Sequence, residues 1–185
     1  MSQIEEGSAS PTKVAVAFGE YRAEHGPARL PRGPASGDVM VTMMKEDGLA
    51  DLAGGANDAG VTEIVPILDE DWRSGDLHLW VIRTDDVVHA PENCQFGSQR
   101  VAGKVKHTNL TGGAAAYAGG EVVFTGASQV VVNGSSGRCR IRSKEAMLAI
   151  EIAFRKSGYD VWSTGWDADA GRPVPFGTVP PSRNA

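Results

Sequence analysis

The spacing of apolar positions divides the chain into a mixed N-terminal part, a strand-like middle part and a helical segment after residue 142. Three runs in the middle part, 62–68 (TEIVPIL), 77–84 (LHLWVIRT) and 87–90 (VVHA), are rich in β-branched and aromatic residues and predict strands. Residues 120–124 (GEVVF) and 129–133 (QVVVN) flank the short turn TGAS and predict a hairpin. We therefore expect an antiparallel β-meander, with further strands at 105–108 and within 159–166.

The clearest helical pattern begins after Ser143 and ends at Gly158. Ser143 is a candidate N-cap, Glu145 lies in the first turn, and Arg155 and Lys156 lie in the last turn, as helix termini favour. The apolar positions follow a helical spacing: Met147, Leu148, Ile150, Ile152 and Phe154. This helix, at about 143–157, is expected to pack on the sheet.

The sequence pattern of the N-terminal part predicts its secondary structure less clearly. Asp38 is a candidate N-cap for a helix over residues 39–55, which Gly54 and Gly55 would end. The apolar residues of that helix would be Val39, Met43, Leu49 and Leu52. Residues 13–25 fit a short helix or a strand equally well. Residues 26–37 contain three prolines and predict a loop.

These elements predict the α+β fold class. The expected architecture is an antiparallel β-meander sheet with N-terminal helical segments and one amphipathic helix packed on the sheet. We assign residues 13–166 to a single globular domain, residues 1–12 to a disordered tail, and residues 167–185 to a proline- and glycine-rich tail.

Composition limits the class of protein further. No apolar run reaches the roughly 18 residues that cross a bilayer, and the polar, acidic N-terminus lacks the layout of a signal peptide. The two cysteines, Cys94 and Cys139, do not suggest a disulfide scaffold. The histidines and cysteines have no spacing typical of a metal site. A cytoplasmic protein without a membrane partner and without a metal is expected.

The charges are unevenly distributed. Residues 98–144 contain seven Lys and Arg residues but only one acidic residue, Glu121, although the whole chain has a net charge of -5. Clustered positive charge favours an anionic ligand such as phosphate, a nucleotide or RNA. The alternative is that the acidic N-terminal part folds back and neutralises this segment.

Two residues of the basic segment are candidate catalytic groups. His107 precedes a glycine turn, and a histidine can donate or accept a proton near neutral pH. Glu121 is an isolated carboxylate that suits a general base, or an ion pair with Arg138 or Arg140. His107 is equally compatible with a structural role at a strand end.

The remaining candidates would bind the substrate. Arg138, Arg140 and Arg142 alternate along an expected strand, so they would share one face and favour a phosphate. A solvated edge strand protected by charge is the alternative. The other candidate substrate-binding residues are polar or basic: Lys104, Lys106, Thr108, Asn109, Asn133 and Ser136.

One sequence pattern resembles a known family. The pattern H-[ST]-x-L-x-G-G, followed by A-G-G-E and N-x-S-S-G, resembles a motif of the C-terminal toxin domains of Rhs-type polymorphic toxins. Within residues 77–142 it is carried by His107, Thr108, Leu110, Gly112, Gly113, Gly119, Gly120, Glu121, Asn133, Ser136 and Gly137. The chain departs from that pattern at Arg138 and Cys139, where the family has a histidine and an aromatic residue. The resemblance implies a small toxin-like enzyme.

Three functions remain open from the sequence, and one of them is not enzymatic. The first is metal-independent RNA cleavage without a cofactor, with His107 as general acid, Glu121 as general base, and Arg138 and Arg140 on the phosphate. The second is an ADP-ribosyltransferase-like enzyme that uses NAD, in which His107 and Thr108 would hold the nicotinamide ribose. The third is a β-rich interaction module that binds an acidic protein partner.

Overall fold

The structure is a computed structural model that describes residues 10–33, 37–56, 63–68 and 76–183. Within these residues it contains four α-helices and a six-stranded sheet in the order β1-β3-β2-β4-β5-β6, plus a small two-stranded sheet, β7-β8. The helices are α1 (Lys13–His25), α2 (Gln95–Ser98), α3 (His107–Thr111) and α4 (Lys144–Lys156). The strands are β1 (Ala50–Asp51), β2 (Leu77–Ile82), β3 (Val87–Pro91), β4 (Ala118–Phe124), β5 (Gln129–Asn133), β6 (Asp160–Ser163), β7 (Trp166–Asp167) and β8 (Arg172–Pro173).

The α+β fold class is confirmed. The main sheet is antiparallel except for the edge pair β5 and β6, which runs parallel after the α4 crossover. The predicted hairpin is also confirmed, because β4 and β5 pair from Phe124 opposite Val130 to Glu121 opposite Asn133. The apolar runs beginning at Leu77 and Val87 form β2 and β3, which pair with each other.

The two long helices cover one face of the sheet. Thr12 and Ser143 cap α1 and α4 through their hydroxyl oxygens, which accept from Ala15 N and Ala146 N at 3.1 Å each. Phe18 of α1 and Phe154 of α4 meet edge-to-face at 5.3 Å between ring centroids, and Phe154 also packs on Trp80 of β2. The predicted packing of α4 on the sheet is therefore confirmed, and the segment at 13–25 is a helix.

The opposite face carries two of the polar residues proposed from the sequence. Successive residues of a strand point to opposite faces, so Glu121 and Asn133, which lie side by side on β4 and β5, share this face with the apolar Leu79 of β2. Two smaller apolar clusters border them. One contains Leu79, Val81, Val105, Leu110 and Cys139, and the other contains Leu77, Val123, Val131, Trp162 and Phe176. A polar strip thus lies between two apolar patches.

The predicted helix at 39–55 is wrong. This region forms two 3₁₀ turns, Gly37–Met40 and Lys45–Asp47, followed by β1. Gly48 ends the second turn in the left-handed conformation with φ 107°. The Asp38 carboxylate does not cap a helix but accepts from Val101 N at 2.8 Å and from Arg100.

Three predicted strands are also wrong. Residues 63–68 contain no strand, and Ile64 and Ile67 are 80% and 87% exposed; Thr62 lies outside the described residues. Residues 105–108 lead into α3 rather than forming a strand. Residues 138–142 are an irregular segment, so the three arginines there do not alternate along a strand.

The C-terminal segment, for which the sequence predicts a tail, packs against the sheet. Trp166 and Asp167 pair with Pro173 and Arg172 in the β7–β8 hairpin, and Phe176 is 3% exposed. Ser182 forms two backbone hydrogen bonds of 2.8 Å with Ser163 at the end of β6. The predicted N-terminal tail lies outside the described residues except for 10–12.

The helices described here are all too short or too polar to cross a membrane.

Candidate functional site

A cavity of about 450 Å³ opens on the sheet face that carries Glu121. Its apolar walls come from Val39, Leu79 and Val105. Its polar lining consists of Glu92, Lys106, His107, Glu121, Ser135, Ser136 and Arg138. The structure therefore brings together five of the residues proposed from the sequence: Lys106, His107, Glu121, Ser136 and Arg138.

His107 is the first residue of α3 and bonds to the sheet below it. Its Nε2 lies 2.9 Å from the carbonyl oxygen of Gly120. A carbonyl oxygen only accepts hydrogen bonds, so we assign the ring proton to Nε2, which leaves the lone pair on Nδ1. No side chain or backbone group of the described residues hydrogen bonds to Nδ1.

Burial lowers the pKa of His107 to about 4. The hydrogen bond to Gly120 and the charge of Glu92 oppose this shift, and the charge of Lys106 adds to it. The cause is desolvation, which disfavours the imidazolium form. At pH 7 the ring is therefore neutral, so it can act as a general base that takes up a proton but not as a general acid.

Asn133 holds the carboxylate of Glu121. Asn133 is fully buried, and its Nδ2 donates to Glu121 Oε2 at 2.8 Å. Its Oδ1 accepts from Glu121 N at 3.1 Å and from Ser135 N at 2.9 Å. These three bonds fix the orientation of the amide and tie the 134–137 loop to the floor of the cavity. Asn133, proposed as a substrate-binding residue, thus acts on Glu121 and on this loop.

Two glycines allow this close approach. A Cβ on Gly119 would lie 3.0 Å from His107 Cδ2. A Cβ on Gly120 would lie 2.0 Å from the Asn133 carbonyl oxygen and 2.7 Å from Trp80 Cζ2. Glycine is required at 120 because no side chain fits between β5 and the indole ring.

Asn109 places α3, and with it His107. Its Oδ1 accepts from Lys106 N at 2.8 Å, and its Nδ2 donates to Val41 O at 2.9 Å. Asn109 is 1% exposed and Thr108 is fully buried, with Thr108 Oγ1 lacking a hydrogen-bond partner. The structure thus buries these two proposed substrate-binding residues and does not place them in the cavity lining.

Cationic groups occupy one side of the cavity. Burial and the charge of Lys104 lower the pKa of Lys106. Lys104 forms an ion pair of 2.7 Å with Glu92, whose side chain is 14% exposed. Arg138 donates from Nη1 to Arg32 O at 3.0 Å. No sequence pattern singles out Glu92, because this residue follows β3 and reaches the site through the pairing of β3 with β2.

The other two arginines lie elsewhere. Arg140 lines a neighbouring cavity together with Arg172, and Arg142 lines neither of these cavities. The expected single face of three arginines is wrong, because residues 138–142 are not a strand. Cys139 and Ile141 are buried in different apolar clusters, so the arginines that flank them do not share one face.

The ADP-ribosyltransferase-like alternative from the sequence gains no geometric support at this cavity. That function needs a catalytic glutamate late in the chain, but Glu151, the last glutamate of the sequence, is 1% exposed and lines a different cavity. Among the described residues, no group of three or more His, Cys, Asp or Glu side chains is placed to hold a metal ion.

Comparisons of the chain with protein-family models, with curated proteins and with solved structures find no match.

Proposed function

We propose that this cavity binds RNA and cleaves its phosphodiester backbone, with all proton transfers made by side chains of the chain. The observation that carries the proposal is one cavity bordered by the neutral His107 imidazole, the carboxylate of Glu121, and the cations Lys106 and Arg138. Its volume of about 450 Å³ falls within the range of roughly 300–1,000 Å³ typical of small-ligand sites.

His107 is the general base of the proposed reaction. Nδ1 takes the proton of a ribose 2′-hydroxyl while the hydroxyl oxygen attacks the adjacent phosphorus. The imidazolium that forms keeps its Nε2–H bond to the Gly120 carbonyl oxygen. The carboxylates of Glu121 and Glu92, which border the same cavity, stabilise that positive charge. The role differs from the general acid expected from the sequence, because a pKa of about 4 leaves no proton on Nδ1 at pH 7.

Lys106 and Arg138 act on the phosphate. The guanidinium of Arg138 binds the nonbridging oxygens, whose charge rises in the transition state. The Lys106 ammonium donates a proton to the departing 5′-oxygen, and its lowered pKa makes it a better acid than an ordinary lysine. The products are a 2′,3′-cyclic phosphate and a free 5′-hydroxyl.

The resemblance to Rhs-type toxin domains implies a small toxin-like enzyme, and cleavage of cellular RNA is compatible with that class. The proposal places the activity in the cytoplasm, where such RNA is found.

The test compares wild-type protein with His107→Ala and with His25→Ala, which changes a histidine on α1 that does not line the cavity. Each protein is incubated with total RNA in EDTA, and separately with labelled NAD and protein acceptors. The proposal expects RNA cleavage in EDTA by wild type and His25→Ala, and a loss of at least about a hundredfold in His107→Ala. Label transfer from NAD would instead support the ADP-ribosyltransferase function, and no reaction in either assay would leave the interaction module.

A further inference from the structure

A second cavity of about 360 Å³ adjoins the first. Ser135 and Ser136 line both cavities, so the 134–137 loop is a shared wall between them. Arg140 also lines the second cavity, as do Arg172 and Pro173 of β8.

Arg140 and Arg172 converge from distant parts of the chain. Arg140 is held in place because its neighbours Cys139 and Ile141 are each 6% exposed. Arg172 sits on the β7–β8 hairpin, whose turn is fixed by Asp167 Oδ1 accepting from Asp169 N at 3.0 Å and from Ala170 N at 2.9 Å. Both positions are therefore set by folded structure, although both side chains are exposed.

Neither arginine is neutralised within the described chain. No hydrogen bond or ion pair joins either guanidinium group to another described residue. Two guanidinium groups that face one concave space repel each other unless an anion lies between them, and their planar donor geometry fits phosphate oxygens. Hydroxyl groups of Ser135 and Ser136 on the shared wall add further donors for such an anion.

We infer that this second cavity binds the phosphate of the nucleotide next to the one that is cleaved. This inference rests on the proposed function and gives it a substrate class: a single-stranded oligoribonucleotide that passes over the Ser135–Ser136 wall. A mononucleotide fills only the first cavity and gains nothing from Arg140 or Arg172.

The experiment measures binding of fluorescently labelled 2′-O-methyl oligonucleotides, which have no 2′-hydroxyl to react, as a function of length and salt. The full chain is compared with Arg140→Ala, with Arg172→Ala, and with the matched control Arg142→Ala, an exposed arginine that lines neither cavity. Each test variant is expected to bind a tetranucleotide about tenfold more weakly, as expected for loss of a charge-assisted contact. Each should also reduce the salt slope of binding by about 0.7, the value for one phosphate contact to a single strand.

The same variants should bind a nucleoside 3′-monophosphate as the wild type does, and Arg142→Ala should stay within about twofold for both ligands. Equal affinity of the wild type for the monophosphate and the tetranucleotide, or equal losses in all three arginine variants, would overturn the inference. Cleavage of RNA by the wild type under those circumstances would leave the proposed function intact. Absence of both binding and cleavage in the wild type would overturn the two together.

Discussion

The Nε2–H of His107 donates to the carbonyl oxygen of Gly120, 2.9 Å away. This bond joins the first residue of α3 to the strand residue that immediately precedes Glu121. Because Nε2 carries the ring proton in this bond, Nδ1 is the unprotonated nitrogen, and the neutral ring has a single tautomer. The chemistry proposed for the cavity follows from that assignment.

The protonation state of His107 can be measured directly. We predict that its imidazole titrates with a pKa of about 4 and is the Nε2–H tautomer at pH 7, because burial disfavours the charged ring. Two-bond nitrogen–proton NMR spectra recorded from pH 8 to pH 3 follow both properties. A midpoint near 6.5, or a proton on Nδ1 at pH 7, is incompatible with the assignment.

The pH dependence of catalysis separates the two roles of His107. If His107 is the base, the cleavage rate rises as pH increases through about 4 and then stays level from about pH 5 to pH 7. If His107 were the acid, the rate would instead fall about tenfold per pH unit above its pKa of about 4. Initial rates on a fluorogenic RNA substrate in constant-ionic-strength buffers give this profile.

Asn133 supports Glu121 through both ends of its amide. Asn133→Ala removes three hydrogen bonds around a buried site, so we expect a loss of about 1–3 kcal/mol in the free energy of unfolding, measured by urea denaturation. Asn133→Asp retains the acceptor oxygen but places a second carboxylate against Glu121. Its loss should therefore be larger at pH 7 than at pH 4, and equal losses at both pH values would contradict this account.

The glycine at position 120 is required by packing. Gly120→Ala would place a methyl group 2.0 Å from the Asn133 carbonyl oxygen, so we expect a loss of about 3 kcal/mol or more in unfolding free energy. Gly137→Ala in the loop beside the cavity is the matched control, because no atom lies within 4 Å of its added Cβ. That control should change stability by less than about 0.5 kcal/mol. Similar losses in the two variants would refute the packing argument.

A second pH effect concerns stability. His78 and His89 lie with their Nδ1 atoms 2.9 Å apart on β2 and β3, so one donates and the other accepts. Burial lowers the pKa of both residues, and that of His89 reaches about 4. The unfolded chain therefore takes up protons below about pH 6.5 that the folded state does not bind.

The contribution of these two histidines to the free energy of unfolding is consequently complete above about pH 6.5 and is lost as pH decreases towards about 4. For His89, which is partly exposed, we expect a loss on the order of 1–2 kcal/mol between pH 7 and pH 5. Urea denaturation of wild type and His89→Leu at both pH values tests this, because the variant should lose less on acidification. An equal decrease in both proteins would assign the effect to other groups.

The sequence predicts correctly those helices and strands whose own apolar residues follow a clear period. The runs beginning at Leu77 and Val87, the β4–β5 hairpin and α4 all have a clear period, and each forms as expected. In contrast, α3 is only five residues long and depends on Asn109, which accepts from Lys106 N and donates to the carbonyl of Val41. Asn109 and Val41 are 68 positions apart, so no local sequence pattern predicts their contact.

The same distinction holds for the site. His107 and Glu121 stand out because one is followed by a glycine turn and the other is an isolated carboxylate, and both line the cavity. Arg172 does not stand out, because it lies in a proline- and glycine-rich segment that the sequence describes as a tail. Only the packing of the β7–β8 hairpin brings it to Arg140.

In the proposed reaction, His107 removes the proton of a 2′-hydroxyl. The most direct measurement uses a DNA oligonucleotide that contains one ribonucleotide, incubated in EDTA with wild type and with His107→Ala, with the products resolved by mass spectrometry. We predict a single cut on the 3′ side of the ribonucleotide, a 2′,3′-cyclic phosphate product, and no cut in the variant or in the all-deoxy strand. Cleavage of the all-deoxy strand, or equal cleavage by His107→Ala, would contradict the claim.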